Sequence, residues 1–572
     1  MNAERLLSHY YEIADAPNAI TRLRRFILDL AVRGKLVPQD AKDEPASALL
    51  SRIAAEKEQQ TKRSKSPSPS ETAPFEIPSC WEWTHLGAVA DLVRGISFPA
   101  SEKSNAQRPG LIPCLRSGNI QDRTVWDDLI YVPKHFSSDD QSVKVGDILI
   151  SIANSYALVG KCSIVDDVRY EATFGAFLAA IRVRGIVPQY AKIFLTSEYS
   201  GQAFRTGSAQ TTNIANITFS TIRSHWFSLP PLAEQHRIVA KVDELMILCD
   251  RLEAARGSRE AVRDQLGRAI HARLNSPDPN DFREDVVFAL ESLPALTARD
   301  DQIAHLRRTI LNLAVSGKLA PQDVGDEPAA GLLERIAKEK SQLLEQRGIK
   351  GDRPLPGVDE AEKPFSTPSG WCWARAQDLS LKISDGVHKT PNYVASGIPF
   401  VTVKNLTEGP GISFRETKFI TDRDHAEFIK RTHPEKGDLL ITKDGTIGVT
   451  RVVETDRPFS IFVSVALMKM VLPVIAPFLA LCISADLIRD TIVPKGAALK
   501  HLHLVDLRKL AFPIPPLAEQ HRILAKVRAL MALCDRLAAN LTAAAMIRHR
   551  LLEALLVEAL GPTDVRKLEA AE

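Results

Sequence analysis

The 572-residue sequence is notable first for what it lacks. It has no G-x-G-x-x-G after a strand-like run and no Asn/Asp-Pro-Pro-Tyr, so no methyl-donor motif stands out. Its Gly-Lys pairs at 34–35, 160–161 and 317–318 miss both the upstream glycine and the following Ser/Thr that would cradle a phosphate and hold Mg²⁺. The 14 histidines include no H-E-x-x-H, and the nearest cluster, His501 with His503, reads as a polar strand or loop. Seven cysteines (80, 114, 162, 249, 372, 482, 534) are odd in number and never spaced C-x-x-C. That argues against a disulfide framework or structural zinc and for the reducing cytoplasm. No uninterrupted apolar run reaches 18 residues, and MNAERLLSHY lacks a signal-peptide core, so neither a membrane span nor a secretory leader is expected. Charge of one sign is also missing: 73 Lys+Arg face 70 Asp+Glu, which excludes an indiscriminate polybasic nucleic-acid binder but leaves room for local basic faces. Pro277-Asp278 could open a nuclease-like carboxylate pattern, yet it stands in a linker. An enzyme of this size normally shows at least one catalytic constellation, so these absences point to recognition.

What is present is an internal duplication. LRRFILDLAVRGKLVPQDAKDEPA (23–46) returns as LRRTILNLAVSGKLAPQDVGDEPA (306–329), with 18 of 24 positions identical. PPLAEQHRIVAKV (230–242) returns as PPLAEQHRILAKV (515–527), with 12 of 13 identical, and CDRL recurs at 249–252 and 534–537. Between these blocks identity nearly vanishes. The survivors are WEW (81–83) against WCW (371–373) and VGDILI (145–150) against KGDLLI (436–441). Uniform drift would not leave near-perfect ends beside near-random middles. The ends therefore do one job twice, and the middles do two different jobs.

The repeated ends are predicted helical. After the Pro-Pro turns, apolar residues such as Ile238, Val242, Leu245, Cys249 and Leu252 recur at a 3–4 spacing, as an amphipathic or coiled-coil helix of about 40 residues requires. The expected segments are an N-terminal helical region (1–62), a first globular domain (75–229), a central helical spacer (230–275), a repeated helical region (301–347), a second globular domain (365–514) and a C-terminal helical spacer (515–560). The stretches 62–74, 275–281 and 348–364 are Pro/Ser/Gly-rich, charged, and expected to be exposed and weakly ordered. Short β-type runs (DILISIA, GIPFVTV, DLLITK) mixed with helical ones make the fold class α+β: two mixed α/β domains joined by long antiparallel, coiled-coil-like helices about a pseudo-two-fold.

Polar, Gly-containing loops in both middles suit DNA, because Arg, Lys, Asn and Gln bond base edges while Ser, Thr and glycine backbone favour phosphates. In the first domain the candidates are Arg94 and Ser97 in LVRGISF, Arg116 and Asn119 in LRSGNI, Asn154 in ISIANSY, and Arg205, Gln210, Thr211 and Asn213 in RTGSAQTTNI. In the second they are Asp385, His388, Lys389 and Thr390 in SDGVHKTPNY, Lys404 and Asn405 after GIPFVTV, Lys443 and Thr446 in KDGTIG, and Lys495, Lys500 and His501 in KGAALKH. Any one of these could equally be a solvated loop residue; as a set they carry more weight. Residues 75–229 carry 14 Lys+Arg and 14 Asp+Glu, and residues 365–511 carry 19 and 15, so a neutral first domain gains little from counterion release.

At PPLAEQHRI (230–238 and 515–523), RRFILDLAVRGKLVPQD with its twin, SDGVHKTP (384–391) and GSAQTTNI (207–214), the sequence resembles the specificity subunit of a Type I DNA restriction-modification system over essentially its whole length. The resemblance implies two target-recognition domains, each reading half of a bipartite double-stranded DNA site, separated by an antiparallel helical spacer. It implies assembly with two modification (methyltransferase) subunits and two restriction (motor-nuclease) subunits. These would bring S-adenosylmethionine, ATP and Mg²⁺, with no cofactor, metal or catalytic residue on this chain. Glu234, Gln235 and Arg237, with Glu519, Gln520 and Arg522, are then candidates for partner or spacer contacts at the heads of the helices. The copies depart from each other where LVRGISF stands against SDGVHKTP, and GSAQTTNI against KGAALKHLHL. Two readers held at fixed separation imply half-sites about one DNA turn apart, roughly 34–36 Å.

Overall fold

The structure is a computed structural model that describes residues 15–60, 73–210, 214–275, 282–348, 351–492 and 501–560. They form two compact units: one runs to Arg259 and takes in the chain from Ala544 onward, and the other is Glu260–Ala543. Each mixes helices and small sheets, in line with the α+β expectation. The helices Leu232–Asn275 and Leu517–Leu560, 44 residues each, are therefore each shared between the two units.

In the first unit the helices Ala19–Val32 and Ala46–Gln60 precede a four-stranded antiparallel sheet. Its order is Ala90–Arg94, Leu178–Val183, Ile148–Ser151, Cys162–Ile164. Beside it lies a three-stranded sheet ordered Ile130–Pro133, Leu111–Leu115, Thr173–Phe174. A two-stranded ladder, Glu82–His85 on Trp226–Leu229, closes the domain where it meets the long helix. The stretch QYAKIFLTSEYSGQAFR lies in two helices, Pro188–Thr196 and Glu198–Thr206, because Ser197 leaves helical geometry and caps the second through Ser200 N.

The second unit repeats this topology although the sequences have diverged. Its four-stranded sheet runs Ser380–Asp385, Val465–Met470, Leu439–Thr442, Thr450–Val452, and its three-stranded sheet runs Lys418–Ile420, Ile398–Val401, Ser460–Ile461. Cys372–Arg375 pairs with Ala511–Ile514 in the closing ladder. Each main core joins the helical pair, the sheet and the start of the long helix: Ile27, Trp81, Ile150, Phe194 and Ile238 in one, and Ile310, Trp371, Ile441, Phe478 and Ile523 in the other. Fully burying an apolar side chain of this size stabilises by about 1.5–3 kcal/mol, so these junctions hold the units together.

The sparse sequence survivors mark buried polar joints. Trp81 Nε1 donates to Glu234 Oε2 at 2.9 Å and Gln39 Nε2 to Glu234 Oε1 at 3.1 Å. The twin joint is Trp371 to Glu519 at 3.0 Å and Gln322 to Glu519 at 2.9 Å. Burial pushes the Glu234 carboxyl above the usual carboxylate range even with these donors. Gln235 closes on Pro230 O and accepts from Val187 N; Gln520 closes on Pro515 O. Arg237 and Arg522 form two-point ion pairs with Asp43 and Asp326, both 2.6 Å at the shorter contact. Glu234, Gln235, Glu519 and Gln520 are buried inside their own units, so these four side chains join elements of the chain and do not face a partner. The Gly-Lys-Leu turn must be glycine: Gly34 and Gly317 have φ of +68° and +74°, and a Cβ would fall 2.4 and 2.5 Å from the rings of Pro78 and Pro368. The Gly-Asp survivors hold strand ends, since buried Asp147 pairs with Arg182 at 2.8 Å and buried Asp438 with Lys469 at 3.0 Å.

One expectation needs revision. The segment 351–364 is exposed but pinned: buried Arg375 donates to Pro356 O, Gly357 O and Glu362 Oε2, at 2.7–2.8 Å. Its pull is three charge-assisted hydrogen bonds, which composition could not show. The other two linkers lie largely outside the described residues. The helix Leu517–Glu558 is long and apolar enough to cross a membrane by length and composition alone, but charged residues such as Asp535 and Arg536 interrupt it, and it does not conflict with the expectation of no membrane span.

Glu519→Ala should strand the buried indole donor of Trp371, at about 1–3 kcal/mol for an unsatisfied buried group, whereas exposed Gln322 keeps its bond to Gly317 O and can turn to water. The expected outcome is a denaturation midpoint well below that of the parent, whereas Glu519→Gln, which keeps one acceptor oxygen, should lose less.

Candidate nucleic-acid interface

In both units the diverged loops gather at one end of the four-stranded sheet. In the first, the strand Ala90–Arg94 runs out into LVRGISF, and Ile96 bridges to Gly175. Ala153–Asn154 of ISIANSY pairs with Ala215–Asn216, which pairs with Ala209–Gln210 of GSAQ. Ser117 Oγ of LRSGNI stands 3.4 Å from Ser151 Oγ at the end of the third strand. In the second unit Val387 bridges to Phe462, Asp444 bridges to His501, and Leu502 N donates to Lys443 O at 2.9 Å. Gly95 and Gly386 make this convergence possible. A Cβ on either would lie 2.2 or 2.0 Å from a carbonyl oxygen of the facing strand, of Gly175 or Ile461.

The candidate residues divide sharply once placed. Arg94 and Ser97 are exposed, and the Arg94 guanidinium sits 5.3 Å over the Phe219 ring. Lys389, Thr390 and Thr446 are exposed, and His388 is 63% exposed beside Arg431. These side chains can meet a ligand. Others are committed internally and are corrected accordingly. Asn119 is buried, donates to Val125 O and Asp127 O, and accepts from Arg116 N. Asn405 does the same work with Ser413 O, Thr417 Oγ1 and Thr402 N. Asn154 is held by Ser151 and Ser155, and Arg205 by Glu198. Arg116, Lys404 and His501 pair with Asp128, Glu416 and Asp444 but keep 40–59% of their side chains exposed, so they too can meet a ligand. Gln210 is placed by its backbone in the strand Ala209–Gln210. Thr211, Asn213, Lys495 and Lys500 lie outside the described residues.

The largest departure is at Asp385 and Lys443, both buried. Asp385 accepts from Lys443 Nζ at 2.7 Å and from Arg431 Nη2 at 2.6 Å. Burial alone would push this carboxyl up, but the two cations hold it below the usual aspartate range. Lys443 is thus a structural cation, and Arg431, absent from the sequence candidates, is the half-exposed one. Phe177 and Tyr156, 65% and 47% exposed at the matching end of the first unit, were missed as well. An aromatic in a loop gives no sequence signal of exposure.

Over 559 residues the chain is 30% identical to the specificity subunit of Type I restriction enzyme EcoAI from Escherichia coli, covering 94% of this chain and 93% of that protein. The chain belongs to the Type I restriction enzyme specificity subunits. The EcoEI specificity subunit, also from Escherichia coli, matches at 30% over 578 residues, covering 95% of this chain and 94% of that one. The family of the Type I restriction modification DNA specificity domain matches residues 387–544. The crystal structure of the HsdS subunit from Thermoanaerobacter tengcongensis is similar over 85% of this chain and 98% of its own, at 17% identity and a TM-score of 0.40. A specificity subunit is the non-catalytic member of its enzyme, so this chain's task is recognition.

Lys443→Ala should destabilise the second unit by about 3 kcal/mol, the low end for breaking a buried pair, because Arg431 still faces Asp385. Lys389→Ala should weaken DNA binding with an unchanged denaturation midpoint. Since Asp385 titrates below its unfolded value of about 3.9, the pairing stabilises above that pH and is lost on further acidification. Lys443→Ala should accordingly lose less stability than the parent between neutral and strongly acidic pH.

Proposed function

We propose that this specificity subunit reads a bipartite double-stranded DNA site, one half with each unit, through the loops at the sheet ends. The observation that supports it is one frame carrying two sets of loops: topology, buried joints and strand-end glycines repeat, while the exposed chemistry does not. In this reading the chain holds two modification subunits and two restriction subunits, which bring S-adenosylmethionine, ATP and Mg²⁺, and the complex works in the cytoplasm. The paired copies offer two equivalent partners equivalent surfaces. The helices Leu232–Asn275 and Leu517–Leu560, each roughly 66 Å long at 1.5 Å per residue, act as the antiparallel spacer that fixes the unread gap.

Replacing residues 75–229 with the corresponding domain of another specificity subunit should change one methylated half-site and leave the other intact. Sequencing of the methylated genome reads this directly; a change in both halves, or in neither, would sink the division of labour. Inserting four residues into one spacer helix lengthens it by about 6 Å. Both half-sites should then stay the same while the gap grows by one or two base pairs, at about 3.4 Å each. An unchanged gap with full activity would place the ruler in the other subunits.

A further inference from the structure

At the end of the second unit's four-stranded sheet one carboxylate is shared by two cations. Asp385 is 4% exposed and Lys443 9%, while the Arg431 side chain that completes the triad is 53% exposed. One negative charge cannot neutralise two positive ones, so the cluster carries a surplus, and Arg431 delivers it to the surface. The orientation of that guanidinium is fixed from below. Nη2 donates to Asp385 Oδ1 at 2.6 Å, Nε points at Asp385 O at 3.4 Å, and Nη2 lies 3.2 Å from His388 Nε2. Thr432 Oγ1 locks the same turn through Asp385 O at 2.6 Å. Among the described residues Nη1 is left to donate outward, and the exposed Lys389 and Thr390 follow His388 in the chain.

This geometry selects its ligand. Bidentate reading of a guanine edge uses two nitrogens of the fork, and here Nη2 and Nε are turned inward. A single outward nitrogen, an ammonium and a hydroxyl suit an anion with several acceptor oxygens. The first unit has the same frame without the cluster. Gly95 takes the place of Gly386, so Arg94 stands where Asp385 does, and Ile152, after the matching strand, stands where Lys443 does. Among the described residues no buried acid orients a cation at that end.

We propose that Arg431, oriented by Asp385, anchors one backbone phosphate of the DNA half-site at the second unit, that Lys389 and Thr390 complete the anchor, and that the first unit has no counterpart. The proposal rests on the reading that each unit takes half of a DNA site. Asp385 is a positioning residue in it, and Arg431 the contacting one.

The test uses the complex assembled with its modification subunits and a fluorescent duplex carrying its methylation site, titrated from about 50 to 200 mM salt. Arg431→Ala should lower affinity about tenfold and equally for cognate and unrelated duplexes. It should reduce the slope of log affinity against log salt by about 0.9, the value of one phosphate contact, and leave the methylated sequence unaltered. Arg431→Lys, which keeps a phosphate-binding charge, should retain most of the slope. Asp385→Asn removes a negative charge next to DNA, so plain electrostatics predicts tighter binding; the positioning role predicts weaker binding and a shallower slope. Since that variant leaves buried Lys443 and half-exposed Arg431 without their acid, its melting is compared with the parent, and Arg431→Ala, at a half-exposed side chain, decides the matter by itself. An unchanged slope in Arg431→Ala, or an altered second half-site, overturns the phosphate anchor. If exchange of residues 365–514 moves the second half-site while Arg431→Ala is silent, the anchor alone fails. If that exchange moves neither half, the two-reader function fails with it.

Discussion

The structure depends on a buried carboxylate at the first turn of each long helix. Glu234 and Glu519 each accept from a tryptophan that opens a recognition domain and from a glutamine in the turn between the paired helices. Two pieces of chain far apart in sequence are thereby fixed to one helix end. Carboxylates are rarely buried, because desolvation is costly unless the oxygens are fully hydrogen-bonded. Each joint supplies donors to both oxygens, and the adjacent Arg237–Asp43 and Arg522–Asp326 pairs bind the same turn to the same helix. A domain anchored this way to a stiff helix inherits that helix's position, which a reader of spaced half-sites requires.

The same constraint explains the uneven record of the duplication. A residue in a buried polar joint cannot change alone without leaving its partner unsatisfied, at a cost that is a large fraction of a domain's stability. Buried Trp81 and Glu234 have therefore kept their twins. Exposed loop residues at the sheet ends meet water whichever polar side chain is present, so their replacement is nearly free in folding terms. Recognition can diverge there while the frame stays fixed. The two units show how far: a guanidinium over an aromatic ring in one, a buried acid gripping two cations in the other.

Much of the frame was legible in the sequence because its signals are local or repeated. Apolar spacing announced the long helices, Pro-Pro announced their starts, and the duplicate named the residues that matter without saying why. The site was legible only as far as its loops. Asn119 and Asn405 look like base readers in a polar loop, yet their amides staple their own turns. Lys443 follows a strand and precedes a glycine as a phosphate ligand might, yet its ammonium is buried against Asp385. Sequence type fixes what a side chain can bond, and tertiary packing decides with what. Arg431 shows the converse, since its role comes from an acid 46 residues earlier in the chain.

Charge adds a last constraint. The first recognition domain is neutral and presents Phe177 and Tyr156 near its sheet end, whereas residues 365–511 carry a surplus of four positive charges. Counterion release scales with the phosphates neutralised, so the salt-dependent, sequence-blind part of binding belongs mainly to the second domain. On the proposed two-reader function, the first would lean more on contacts that salt touches little, such as apolar contact with a thymine methyl or the shape of the groove. Such contacts form only at close range and correct register. A charged reader tolerates distance, and a neutral one does not. A chain that joins one of each through stiff helices can be drawn to DNA by one half and made selective by the other, without either domain having to do both.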